Sequence, residues 1–486
     1  MNKFMQKSVR LVAPLAFSAA LALSALPINA QAAPVTINIY VGLGTGTHPD
    51  QKPPQDALAK QWNAAHPDIQ IKFVYNDHTN ARDEILTEIQ GDNPPDLVGP
   101  VGIKGTYETP QLWADLSPYI QKDQASLSLD QYDPATLKVF KDAGGKNLSL
   151  ALGIYPSAMF VNEDIFKAAQ IPLPPKQWGA KYIDKDGKQV VWDWNEVAIV
   201  AKEITSDKAG NYNGDPGFDP KSIQNYGFSN AWLDLRVVMM SWAPPTAGVS
   251  ADGKTATFDS PEMLAAAQWY HSGIFTDHSI PDTAAEGAIG QGATSPFSGG
   301  RLGMWYSPIW MLCCANSTFH WNVYAGPAAP NGKIVSPMDV DTFLMVDKSK
   351  NKDAAWQVLK WLTSSDVSGQ LCNVYGCMPA RKSARDGWSA AQLKNFPGIT
   401  LQPIFDGVQY QDSPNNESIL PNYPQAFDAG NVFWNRVRTE PNLAVQTELT
   451  AFNAIEQGIF GGKFPPTPTP APTATAAPTA AATAAK

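Results

Sequence analysis

Residues 35–49 read VTINIYVGLGTGTHP, and this stretch sets the fold. Val35, Ile37, Ile39 and Val41 alternate with Thr36, Asn38 and Tyr40, the period-two spacing of a strand. A glycine-rich loop follows. From Asp56 onward, Leu58, Trp62 and Ala65 fall on one face of a helix. Ile69, Ile71, Phe73 and Tyr75 alternate again as a second strand. Residues 81–90 turn Ile85, Leu86 and Ile89 to one side, Gly91 stops that helix, and Asp96-Leu97-Val98 begins a third strand. Strand, helix, strand, helix, strand predicts an α/β fold in which parallel strands are joined by crossover helices. Ligands of such sheets sit at the carboxyl ends of strands, where the loops gather.

The same alternation of elements continues downstream. Residues 147–152 and 157–161 each read as strands, and residues 171–175 are a proline-rich connector. Residues 182–192 form a hairpin turning at Asp186-Gly187. Residues 195–205 are helical. Ser260-Pro261 is a cap followed by proline at the first helical position of a helix that runs to Gly273. Ala355, Val358, Leu359 and Leu362 give helical spacing again. No fixed-period repeat is present.

The two ends differ from the body. Lys3, Lys7 and Arg10 precede an apolar run over residues 11–26 and a small-x-small site at Ala30-Gln31-Ala32, so residues 1–32 read as a secretory signal peptide. No Cys stands at the expected cleavage site to carry a lipid, so the chain is expected in the periplasm or outside the cell. Residues 465–486 hold only Pro, Thr and Ala before Lys486 and read as a disordered or extended tail. The remaining roughly 430 residues exceed one core and suit two lobes. The net charge of −9 becomes −12 once the three leader cations are removed. An acidic balance repels phosphate backbones, which argues against nucleic acid as a partner.

The four cysteines fall in two local pairs, Cys313-Cys314 and Cys372…Cys377. In an exported chain they are disulfide candidates, with three connectivities open. A turn through Asn373 and Gly376 favours Cys372–Cys377, leaving a vicinal Cys313–Cys314; two bridges between the pairs are the alternative. No CxxC or His pair accompanies them as zinc ligands would require, and no metal or cofactor is expected. Asn211, Asn213, Asp215 and Asp219 have calcium-loop composition, but Gly217 falls one position late, so a polar turn is the better reading.

Several segments, in order, resemble one family. Residues 85–98, ILTEIQGDNPPDLV, are similar to a helix-Gly-Asp-x-Pro-Asp-strand signature. Residues 112–120 (LWADLSPYI), 152–166 (LGIYPSAMFVNEDIF), 297–310 (FSGGRLGMWYSPIW), and 348–365 with Gly376-Cys377-Met378-Pro379 resemble its later segments. The family is the extracellular solute-binding proteins of carbohydrate ABC importers, the group that includes maltose-binding protein. Gly303 departs from the pattern, standing where the family often has Ala, and Asp339-Val340-Asp341 replaces small residues. The resemblance implies a two-lobed periplasmic-binding-protein fold, each lobe a mostly parallel sheet flanked by helices. Residues 34–153 plus 335–378 would form lobe 1 and residues 156–325 plus 381–464 lobe 2, with a ligand cleft between them. It also implies binding of a small-molecule carbohydrate by a monomer, delivery to ABC permease subunits, and no enzymatic activity.

A sugar presents hydroxyls on its rim and C–H groups on its faces, so its site needs aromatic walls and bidentate polar side chains. Trp310 lies six residues after Met304, where the resemblance places a stacking aromatic. Trp305 is its strand neighbour. Asp341 opens the strand TFLMV, and a carboxylate there accepts two hydroxyls. Thr47 and His48 lie on the glycine-rich loop, which fails as a dinucleotide motif because position 47 is Thr where the third Gly belongs. Tyr155 sits near the expected lobe crossing. Trp232 and Trp242 flank loops of the second lobe. A secreted glycoside hydrolase and a cell-surface carbohydrate adhesin are the alternatives. No GxSxG, HExxH, phosphate-cradling loop or eightfold barrel repeat supports an enzyme.

Overall fold

The computed structural model describes residues 33–77, 80–142, 144–231, 241–242, 248–290, 295–315, 318–412 and 419–464, without the side chains of residues 313–314. The leader, the tail and Trp232 lie outside the described residues. Twelve strands are present among them: β1 (Val35–Val41), β2 (Ile69–Tyr75), β3 (Leu97–Val101), β4 (Gly153–Asn162), β5 (Lys181–Ile183), β6 (Gln189–Val191), β7 (Ser206–Asp207), β8 (Ile223–Asn230), β9 (Leu302–Pro308), β10 (Trp321–Tyr324), β11 (Met338–Met345) and β12 (Met378–Pro379).

Hydrogen-bonded neighbours run β2-β1-β3-β11-β4-β9-β8-β7, with β10 and β12 also on β4; β5 and β6 form the expected separate hairpin. β2-β1-β3 and β8–β9 pair in parallel, as their crossover helices require. β11 and β4 run antiparallel to their neighbours and join the two halves. The sequence pattern predicts separate strands over 147–152 and 157–161; residues 147–152 lie in no named strand, and 157–161 fall inside one fully buried strand, β4. Its first residues, 153–156, pair with Asp341 to Met338 of β11, and Ser157 to Val161 pair with β9. Pro156 carries no N–H, and the strand exchanges partners at that position. β4 ends at Asn162, whose side chain accepts from the backbone N–H groups of Asp164 and Ile165 and starts the next helix.

Two buried clusters fill the fold, the first extending past β4 to Phe297, Trp305 and Trp321. One cluster gathers Ile37, Ile39, Leu97, Phe343 and Leu359 around β1, β3 and β11. Helix Lys52–Ala65 adds Leu58 and Trp62 to it, and helix Ala81–Gln90 adds Ile85 and Ile89. A buried side chain of this size contributes about 1.5–3 kcal/mol relative to exposure. The other cluster is aromatic, with Trp194, Phe228, Tyr270, Tyr306 and Trp434 all essentially inaccessible. Helix Pro261–Phe275, capped by Ser260 as its sequence signals, packs there.

Close packing explains one departure from the family pattern. A Cβ on Gly303 would meet Ile204 Cδ1 at 2.4 Å, and one on Gly227 of the adjacent strand would meet the Ala201 carbonyl oxygen at 2.0 Å. Helix Trp194–Ile204 lies so near the sheet that both strands need glycine beneath it. The two halves also meet away from the sheet. The Lys104 ammonium sits 3.6 Å from the centre of the Phe427 ring, joining helix Ile103–Glu108 to helix Tyr423–Thr439.

Candidate functional site

The polar groups of the strand exchange converge where β4 passes β11. Tyr155 is 3 % exposed, and its hydroxyl donates to Asp341 Oδ2 at 2.9 Å. The Asp341 side chain is half-buried, and its Oδ1 lies 3.3 Å from where a Cβ on Gly102, just past β3, would stand. Loss of hydration pushes the Asp341 carboxyl up to about 7; the neighbouring Asp339 carboxylate adds to the rise and the Tyr155 bond opposes it. Trp310 follows the end of β9 and is partly exposed. Its ring stands edge-on to Tyr155, with centroids 5.3 Å apart and planes at 70°. An indole and a carboxylate thus flank one tyrosine at the junction of the two halves.

The loop after β1 is held beside this junction by a network the sequence reading missed. Gly46 donates its N–H to Gln51 Oε1 at 2.8 Å. The Gln51 amide donates to Thr45 Oγ1 at 2.8 Å and to the Val374 carbonyl at 3.0 Å. Gln55 Nε2 donates to the Gly46 carbonyl, and Gln55 Oε1 accepts from the Tyr375 hydroxyl at 2.7 Å. Gly46 has φ +107°, and a Cβ there would meet Val41 Cγ1 at 2.8 Å, so only glycine fits. Another missed group is Asp412, which accepts the Met338 N–H at 2.7 Å and anchors the start of β11.

Gly102 also lines the first of two cavities, and Trp310, Tyr155 and Asp341 line neither of them. A cavity of about 490 Å³ is lined by Leu43, Ile85, Leu86, Leu112 and Trp113 on the first half. A second, of about 640 Å³, shares Arg82 and Glu108 with it and reaches Asn422, Tyr423 and Gln425 on the other half. Arg82 Nε and Glu108 Oε2 pair at 3.1 Å where the two cavities meet.

The other residues singled out from sequence lie elsewhere. Trp305 is 1 % exposed, stacked on Phe297 at 5.7 Å and edge-on to Phe160, so it is core and leaves no face for a ligand. Trp242 is 3 % exposed beside Trp269 and belongs to the second core. His48 is exposed, with its ring paired to the Asp50 carboxylate. Thr47 is half-buried on the same loop. Tyr155 is buried with its hydroxyl committed to Asp341, so it orients that carboxylate rather than offering a surface. Asp207 accepts from the backbone of Ala209, Asn211 and Asp219, holding residues 207–219 as a polar turn. Among the described residues no cluster of His, Cys, Asp or Glu is arranged to hold a metal. Cys372 and Cys377 are bonded, with Cα atoms 4.5 Å apart. The Cys313 and Cys314 side chains lie outside the described residues.

Comparison with known proteins places these features in context. The sequence model of bacterial extracellular solute-binding proteins matches residues 45–368. A Brucella abortus binding protein is 25% identical over 241 residues, 49% of this chain and 52% of its own, so the match spans about half the length of that relative. The Listeria monocytogenes ABC substrate-binding protein solved with cycloalternan superposes with a TM-score of 0.68 at 16% identity, covering 88% of this chain and 99% of that one. The cyclic alpha-maltosyl-1,6-maltose binding protein of Arthrobacter globiformis gives 0.65 at 16% identity, with 88% and 100% covered. At such identities the structural likeness speaks for the two-lobed fold.

Proposed function

Because the chain belongs to the family of bacterial extracellular solute-binding proteins, we propose that it is exported, binds a sugar or oligosaccharide between its lobes and passes it to an ABC permease. The observation that carries the reading is the Trp310–Tyr155–Asp341 constellation at the strand exchange. A partly exposed indole suits the C–H face of a sugar ring, and an oriented carboxylate suits a pair of its hydroxyls. A cavity of about 490 Å³ lined by Gly102, and one of about 640 Å³ that shares Arg82 and Glu108 with it, suit a ligand longer than one ring. Cycloalternan, with which the Listeria relative was solved, and cyclic alpha-maltosyl-1,6-maltose, for which the Arthrobacter relative is named, point the same way. We assign residues 34–153 plus 335–378 to one lobe and 156–325 plus 381–464 to the other, with closure about β4 and β11. Residues 1–32 serve as the export signal, and the protein acts as a monomer without catalysis.

The test is a panel of maltose, maltotriose and mannotriose. A binding protein raises its melting temperature and changes its Trp fluorescence with at least one of them, and leaves chromogenic glycosides intact. Turnover of a glycoside instead points to a hydrolase, and no response to any free sugar points to an adhesin.

The Asp341 carboxyl gives the binding a pH dependence. Its value in the fold is raised from 3.8 to about 7. The form that accepts hydroxyls is the carboxylate, which grows as pH rises through that value. Sugar affinity should therefore rise about tenfold between pH 6 and pH 8, and the rise should vanish in Asp341→Asn. Titration calorimetry at the two pH values reads it; equal slopes for the two proteins would remove Asp341 from the site.

A further inference from the structure

We propose that the Cys372–Cys377 disulfide is a positioning element for the ligand site, fixing the one turn on which Trp310, the glycine-rich loop and the crossing strand all rest. The inference deepens the ligand-site reading given above and depends on it.

Three contacts meet at this turn. Helix Ser365–Tyr375 ends at Gly376, which is left-handed at φ +79° and donates its N–H to the Cys372 carbonyl. A Cβ on Gly376 would lie 3.6 Å from the Trp310 carbonyl oxygen and 3.8 Å from its Cα, so the turn lies close beside the Trp310 backbone. One residue earlier, Tyr375 bonds Gln55, which bonds Gly46; Val374 accepts from Gln51, which also holds Thr45. On the other side the sulfurs press on β4. A Cβ on Gly153 would meet Cys377 Sγ at 2.2 Å and Cys372 Sγ at 2.8 Å. Gly153 pairs with Asp341 and Pro379, two residues from Tyr155. Only glycine lets the strand lie on the disulfide.

The span of the bridge favours a local role. It closes a separation of only five residues, and both cysteines are fully buried. A short loop constrains the unfolded chain least, so global stabilisation is its smaller effect. What it fixes is the turn between helix Ser365–Tyr375 and β12, and through that turn the spacing between the indole, the loop after β1 and the Asp341 end of β11.

The test uses the full chain with Cys372→Ala/Cys377→Ala. Amide exchange of residues 44–47, 153–155 and 309–312 should quicken about tenfold, while β8 and helix Trp194–Ile204 keep their protection. Maltotriose Kd should rise about fivefold in the wild-type background and by clearly less on top of Trp310→Ala. Gly376→Ala, which strains the same turn and leaves the sulfurs bonded, should give the same regional pattern if the double variant fails to fold. Unchanged exchange in the three segments, uniform loosening of both lobes, or an equal Kd increase in both backgrounds overturns the proposal. The exchange arm needs no ligand. Unchanged affinity in Trp310→Ala alone would instead sink the ligand-site reading and leave the exchange result to judge the turn.

Discussion

Replacing Trp310 by Ala should weaken binding of the best sugar in the panel about a hundredfold, ~2.7 kcal/mol, with the fold intact. Trp310 is partly exposed and lies in a short helical turn after β9, Ile309–Cys314, so truncating it removes little from either core. Its ring is held edge-on by Tyr155, which fixes the indole before a ligand arrives. A wall organised in advance loses little rotamer freedom on binding, and buried aromatics of this kind dominate recognition energy. Trp310→Phe keeps a smaller face and should recover most of the loss. Calorimetric titration reads both, with the melting temperature as the control for folding. An affinity within twofold of wild type would place the ligand away from the indole.

Glu456 should make stability fall with pH by about 3 kcal/mol between pH 5 and pH 7, over and above the rest of the chain. It lies inside helix Val445–Phe460 among Leu449, Phe452 and Ile459, with no exposed surface, and neither carboxyl oxygen has a hydrogen-bond partner among the described residues. Burial alone raises its carboxyl from 4.5 to about 9. The sign follows from proton binding. Between those values the folded chain holds the proton and the unfolded chain releases it, so unfolding is favoured by ~1.4 kcal/mol for each pH step. The destabilisation is absent below the unfolded value, grows from pH 4.5 upward and levels off above 9. Glu456→Gln removes the titration and Glu456→Leu also removes the unpartnered polar atoms. Both should be more stable than wild type at pH 7, and the gap should narrow toward pH 5. Urea unfolding at the two pH values reads it; parallel shifts of wild type and Glu456→Gln would contradict the assignment.

The fold was legible where side-chain period and capping chemistry coincide. Ile37, Ile39 and Val41 mark β1 by alternation alone, and Ser260-Pro261 marks a helix start by capping. β4 was harder to read. It is buried on both faces, so GIYPSAMFVN has no alternation to announce it, and the expected strand over 157–161 begins just past Pro156, where the real strand only exchanges partners. The ligand-site candidates divided according to exposure. In a chain with 15 Trp, neighbours on one strand and the turn that follows have opposite fates: Trp305 packs into the core and Trp310 reaches the junction. Sequence spacing does not separate them, because the core around Trp305 is itself aromatic, with Phe160, Phe297 and Trp321 packed together. Gln51, Gln55 and Tyr375 were missed for a different reason. Their bonds close over more than 300 residues of chain, between the start of helix Lys52–Ala65 and the end of helix Ser365–Tyr375, which carry no shared motif. The only local trace was Gly46, whose left-handed backbone marks a place where a side chain cannot stand.

A structure of the full chain with the tightest-binding sugar of the panel tests the central claim most directly. The sugar should lie between the lobes, with a ring face packed on Trp310 at about 4 Å. Two of its hydroxyls should be bonded to Asp341, and the chain should continue toward Arg82 and Glu108. A sugar held by one lobe alone, or seated without touching either Trp310 or Asp341, would contradict the account.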